Sequence, residues 1–145
     1  PNVRARATSL TNLGACLVAV RRREEGIRCL QQALARAREH GFRRVAALAL
    51  SRLAEAHLEK GDHERVSAFL AESDALASRA DETYNDILFL NTYYRWEMAR
   101  ADDSPTREKI SFGRLRHLRA LLERRFPEVE QFDRHVEKIG RIHAH

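Results

Sequence analysis

Two leucine–small-residue steps, forty residues apart, constrain this chain more than any other feature: Leu13-Gly14 recurs as Leu53-Ala54. After the first step comes Arg23-Glu24-Glu25-Gly26-Ile27 and then Ala33-Leu34. After the second comes Gly61-Asp62-His63-Glu64-Arg65-Val66 and then Phe69-Leu70. Self-similarity at a fixed offset is the mark of a repeat architecture, in which each unit buries its apolar face against its neighbours.

The repeating unit is helical. Apolar residues recur at intervals of three and four, and nowhere alternate over a strand-length run. Helices are predicted over residues 3–20 (stripe Leu10, Leu13, Leu17, Val20), 24–40 (Ile27, Leu30, Leu34, Ala37) and 43–60 (Leu50, Leu53, His57, Leu58). A fourth covers 63–79 (Val66, Phe69, Leu70, Leu76). A fifth covers 82–100, with Asp81 as its cap and Tyr84, Phe89, Tyr93, Tyr94 and Trp96 as its aromatic content. Ser104-Pro105 opens a sixth, which runs to residue 125 with Phe112, Leu115, Leu118 and Leu122 inward. Phe126-Pro127-Glu128 restarts the chain into a last helix carrying Val129, Phe132, Val136 and Ile139, ending near Gly140 before a frayed tail. Gly41 and Gly61 sit where helices must stop. The expectation is therefore an all-α chain of about seven helices joined by short turns.

These units resemble the tetratricopeptide repeat. Leu13, Gly14, Leu17, Gly26, Leu30 and Ala33 match its pattern in a first unit, and Leu53, Ala54, His57, Gly61, Asp62 and Leu70 in a second. Leu90, Asn91 and Tyr94 match a third more loosely. The departures are an offset longer than the ~34 residues of the standard unit, no Trp at the usual first-helix position, no closing Pro, and Ser73 where the family has Ala. The resemblance covers residues 8–122. It implies one domain, 1–145, coiled as a right-handed superhelix of antiparallel hairpins, with repeats at roughly 5–40, 43–80 and 82–124 and a capping helix at 127–142. Longer units of this kind, together with the stretch Ile110-Ser111-Phe112-Gly113-Arg114-Leu115 through Phe126-Pro127-Glu128-Val129, resemble the repeats of bacterial peptide-pheromone-type transcriptional regulators. In that group a helix-turn-helix or helical-bundle domain precedes the repeats. The start at Pro1 reads as a fragment of a longer protein.

Composition narrows the function. With 43% hydrophobic and 32% charged residues the chain is globular. No apolar run approaches the roughly 20 residues of a membrane span, and no secretory leader precedes the first helix. Cys16 and Cys29 read as buried thiols in a reducing compartment, too few for a structural zinc site. The expected location is cytoplasmic. The net charge of +5 comes from arginines interleaved with glutamates along every segment, which reads as solvated helix faces. Even the basic sixth helix, with Arg114, Arg116, Arg119, Arg124 and Arg125, reads as a solvated outer helix, so DNA is expected only through a domain absent from this chain.

No catalytic pattern is present: no phosphate-binding glycine loop, no His-Glu-x-x-His, no nucleophile elbow. Adjacent pairs such as Glu24-Glu25 and Asp102-Asp103 point about 100° apart on a helix and do not converge. His143 and His145 read as exposed tail rather than metal ligands. No enzyme, metal or cofactor is expected.

The resemblance places a ligand groove along the first helix of each unit. Its candidate binding residues are Asn12, Arg52, Glu55, Asn85, Thr92, Arg95 and Trp96, with Glu59 alongside. Asn amides would hold an extended peptide backbone. Arg52 and Arg95 would hold a carboxylate, and Tyr93 and Trp96 would give flat apolar area. The competing reading is that the tyrosines are core and that Arg52 pairs with Glu55 or Glu59 on its own helix. The expected partner is a peptide or protein, with a homodimer through an unpaired terminal helix also open.

Overall fold

The computed structural model describes residues 2–143. They form seven helices: α1 (Val3–Ala19), α2 (Arg23–His40), α3 (Arg43–Glu59), α4 (His63–Ala77), α5 (Asn85–Ala101), α6 (Pro105–Ala120) and α7 (Pro127–His143). Each packs against the next in the order α1–α2, α3–α4 and α5–α6, as hairpins. Helix α3 touches both α1 and α5, so the first helices of successive hairpins form one wall. Among the described residues there is no strand, only an isolated bridge between Ser78 and Thr83.

Two glycines set the first hairpin. A Cβ on Gly26 would meet the Gly14 carbonyl oxygen at 2.8 Å, and one on Gly14 would meet Leu30 Cγ at 2.7 Å. The backbones of α1 and α2 therefore touch where neither has a side chain. This closeness corrects the expected stripe of α1. The buried face is Ala7, Thr11, Gly14 and Val18, whereas Leu13 is 50% and Val20 65% exposed. Close backbone contact selects small residues, and the larger leucines are turned to the flank.

The caps follow the sequence at most ends. Asn2 accepts from the Ala5 amide, Asp62 from Arg65 and Ser104 from Arg107. Gly41 and Gly61 take left-handed φ values of 70° and 77°. Asp81 is a correction: it caps nothing, and α5 begins at Asn85. The Arg43 guanidinium holds the link into α5 by donating to the Leu76 and Glu82 carbonyls, at 2.6 and 3.1 Å. The sixth helix ends at Ala120, short of residue 125. Its Arg119 donates to the Leu122 carbonyl and makes two bonds to Asp133, at 2.9 and 3.0 Å, which turn the chain onto α7. Arg114 and Arg116 are exposed on α6, while Arg124 and Arg125 lie in the following link. The last helix continues past Gly140 to His143; His145 lies outside the described residues. Cys16 is exposed and Cys29 half-buried, so both thiols are free but neither is fully buried, because the close face of α1 is the small-residue one.

The core divides in two. One cluster, between α1 and α4, is aliphatic and built on Leu30, Leu50, Leu53 and a run of alanines. The other, from α3 to α7, is aromatic, with Phe89, Tyr93, Tyr94, Trp96 and Phe132. Helix α7 is held there by large side chains: Phe132 meets Phe89 edge-on, with centroids 5.8 Å apart, and Trp96 at 6.3 Å.

A buried polar network ties α3, α4 and α5. The Asn91 amide donates to Ser73 Oγ and Asp74 Oδ1, both at 2.9 Å, and its oxygen accepts from Ser51. Ser73 donates to the Ala47 carbonyl at 2.8 Å. Ser73 thus stands at a small-residue position and also gives Asn91 an acceptor that alanine lacks.

Candidate functional site

Helix periodicity places Arg52, Glu55 and Glu59 on one face of α3, at steps of three and four. The same rule puts Tyr93, Tyr94, Glu97 and Ala101 together on α5. Helix α7 crosses this wall with Glu128 in its first turn. These three helices and the first residue of α4 enclose a cleft of about 410 Å³ lined by Glu55, Leu58, Glu59, His63, Tyr93, Tyr94, Glu97, Ala101, Glu128 and Gln131.

At its base is a connected set of polar groups. Arg52 donates to Tyr94 Oη at 2.8 Å and to Glu128 Oε2 at 3.2 Å, and reaches Glu55 at 3.5 Å. The Tyr94 hydroxyl donates to the same Glu128 oxygen at 3.1 Å. Tyr93 donates to Gln131 at 2.6 Å. Glu128 is only 7% exposed, and its second oxygen, Oε1, is buried without a hydrogen-bond partner. A buried carboxylate oxygen without a donor costs about 1–3 kcal/mol or more.

The electrostatics fit a crowded acidic wall. Burial pushes the Glu55 carboxyl up to about 7; Arg52 opposes this, and Glu128 and Glu59 add to it. Burial raises the Glu97 carboxyl as well, and the charge of Glu128 adds to it. The Tyr94 hydroxyl is held well above its ordinary value, first by burial. Groups perturbed by burial and like charge, gathered in one cleft, mark it as a functional candidate. A slightly larger groove of about 440 Å³ runs between α1 and α2, past Leu10, Leu13, Gln32 and Arg36, and no carboxylate lines it.

The sequence-derived candidates separate on this geometry. Arg52 and Glu55 belong to the cleft. Asn12 is exposed on α1 and Asn85 opens α5 at the end remote from Glu97; neither lines it. Thr92 is buried, and its hydroxyl donates to the Leu88 carbonyl at 2.7 Å within its own helix. Arg95 pairs with Asp74 at 2.6 Å on the side facing α4. Trp96 is 2% exposed and packs against Phe112, Phe132 and His135; it lines a separate depression with Pro105 and Lys109 and not this cleft. Arg52 and Arg95 each already hold carboxylates of this chain, Arg52 in part on its own helix as the competing reading had it.

Sequence reasoning did not select Glu97 or Glu128. The spacing of Glu97 from Tyr93 on one helix face was a usable signal. Glu128 carried none, since an acidic residue after a helix-opening Pro reads as a dipole partner.

Among the described residues, no group of three or more His, Cys, Asp or Glu side chains converges as metal ligands, and no helix is long and apolar enough to cross a membrane. Comparison of the chain with known protein families, with curated proteins and with solved structures gives no match.

Proposed function

We propose that this chain is a non-catalytic binding domain of the tetratricopeptide type, which takes a segment of peptide or partner protein into the cleft between α3, α5 and α7. The observation that carries this reading is the buried Glu128 Oε1, without a partner at the end of an otherwise hydrogen-bonded set, on a residue that lines a cleft of about 410 Å³. Packing alone gives no reason to keep an unpaired carboxylate oxygen there, and a ligand donor would complete it.

In the wider reading the domain is the sensor of a cytoplasmic bacterial transcriptional regulator. Ligand in the cleft would draw α7 against the α3–α5 wall, and a linked domain would read that shift on DNA. A display selection of random peptides against the domain tests the binding itself, with enriched peptides expected to shift the amide resonances of residues 55, 97 and 128. Failure to enrich any peptide would sink it. A helix-turn-helix encoded beside these repeats in the parent gene is expected for a regulator.

A second reading, a scaffold without sensing, has one observation of its own. Leu13, which lines the groove between α1 and α2, and Val20, just past the end of α1, are both exposed apolar side chains, a surface on which a folded partner or a second copy would dock. Enrichment of folded proteins but not peptides would favour it.

A further inference from the structure

We propose that the group taken into the α3/α5/α7 cleft is a cationic side chain of a partner peptide, an arginine or a lysine, with Glu128 as its main counter-charge and Glu55 and Glu97 flanking it. This rests on the binding reading above and specifies its chemistry.

The charge balance of the cleft points this way. A chain with a net charge of +5 lines this cleft with four carboxylates and no lysine or arginine. The nearest cation, Arg52, is already shared between Glu55, Glu128 and Tyr94. The carboxylate of Glu59 pairs with Arg23 at 3.4 Å, and His63 with Asp102 at 2.9 Å. Glu97 has no ion pair within 4.0 Å among the described residues. Arg52 on Glu55 and Glu128, Arg23 on Glu59 and, at longer range, Arg100 on Glu97 are three guanidiniums set against four carboxylates.

The unpaired oxygen gives the direction. Glu128 Oε2 already receives two hydrogen bonds, whereas Oε1 is buried and receives none. An anionic or apolar ligand would leave it unpaired and add repulsion or desolvation. A guanidinium or ammonium supplies the missing donor in the charge-assisted form, which is the stronger kind. Size argues for an organic cation over a metal ion. The carboxylates are spread around about 410 Å³ and do not gather as a metal-ligand set. Bound cation would also favour the ionised form of Glu55, which burial and its acidic neighbours now disfavour.

The test is a peptide display selection run in parallel on the parent domain and on Glu128→Gln, which keeps the side-chain shape. The parent is expected to enrich peptides with one fixed Arg or Lys position. Glu128→Gln is expected to bind those peptides at least about tenfold more weakly, and Glu97→Gln about threefold more weakly. Both variants are first matched to the parent by circular dichroism; Glu97 is half-exposed, so its variant keeps the test open if Glu128→Gln does not fold. Enriched peptides without a basic position, or with one indifferent to both variants, would overturn the cation while leaving the binding reading intact. No enrichment at all would overturn both. Agmatine, a free guanidinium, is titrated alone; binding as tight as the peptides' would assign the cleft to a small amine and overturn the peptide source.

Discussion

The first hairpin and the α5–α7 region solve the same packing problem in opposite ways. Helices α1 and α2 approach until Gly14 and Gly26 touch, and their shared core is aliphatic. Helices α5 and α7 stay apart, bridged by Phe89, Trp96 and Phe132, and the space left beside the rings admits Tyr94, Arg52 and Glu128. Close backbone contact leaves no room for chemistry. Large side chains keep helices separated, and the resulting cleft can hold charge. The contrast locates the candidate site in the aromatic region even though the repeat pattern is clearest in the other.

Trp96→Ala should give the largest effect. It removes the ring that joins Phe112, Phe132 and His135, and a loss of about 3–5 kcal/mol is expected in urea unfolding. A cost near that of a surface change would mean that α7 is not anchored by these rings. Gly26→Ala comes next. Overpacking against the Gly14 carbonyl should cost about 1–3 kcal/mol and outweigh the roughly 1 kcal/mol of helix propensity that alanine adds. Gly113→Ala is the matched opposite: nothing lies within 4 Å of its Cβ position, so the same substitution should stabilise by about 0.5–1 kcal/mol. Equal signs at the two sites would break the comparison.

The cleft should also show itself through pH. The carboxyl of Glu55, held at about 7 in the fold, lies near 4.3 in an unfolded chain. Between those values the folded state keeps a proton that the unfolded state has lost. Its contribution to stability is full below about pH 4.3, declines as pH rises and is gone above about 7. Glu55→Gln should flatten that decline, measured as melting temperature against pH; an unchanged slope would place Glu55 in ordinary solvent.

Much of the fold was legible because its signals are local. Gly41, Gly61 and Ser104-Pro105 stop or start helices by backbone geometry alone, and they sit where expected. The stripe of α1 was not legible, because which face is buried depends on how closely α2 approaches. Nor was the start of α5, where Arg43 reaches across from another helix to hold the link. The site was legible only in part. Arg52 and Glu55 share a helix face, so periodicity brought them together. The partner that completes them, Glu128, lies 76 residues along the chain from Arg52 and reaches them only through tertiary packing. Trp96 shows a related ambiguity: on a helix packed on several sides, a large aromatic reads the same whether it faces a groove or a core.

The account turns on Glu128 being held for a ligand and not for the frame. Thermal unfolding of ligand-free Glu128→Gln tests this directly. Arg52 loses one ion pair but keeps Glu55 and the Tyr94 hydroxyl, and a buried carboxylate charge is removed. The melting temperature should therefore stay within about 3 °C of the parent, a change of roughly 1 kcal/mol or less for a domain of this size. A fall of about 10 °C or more would make Glu128 a structural ion pair and contradict the assignment of the cleft.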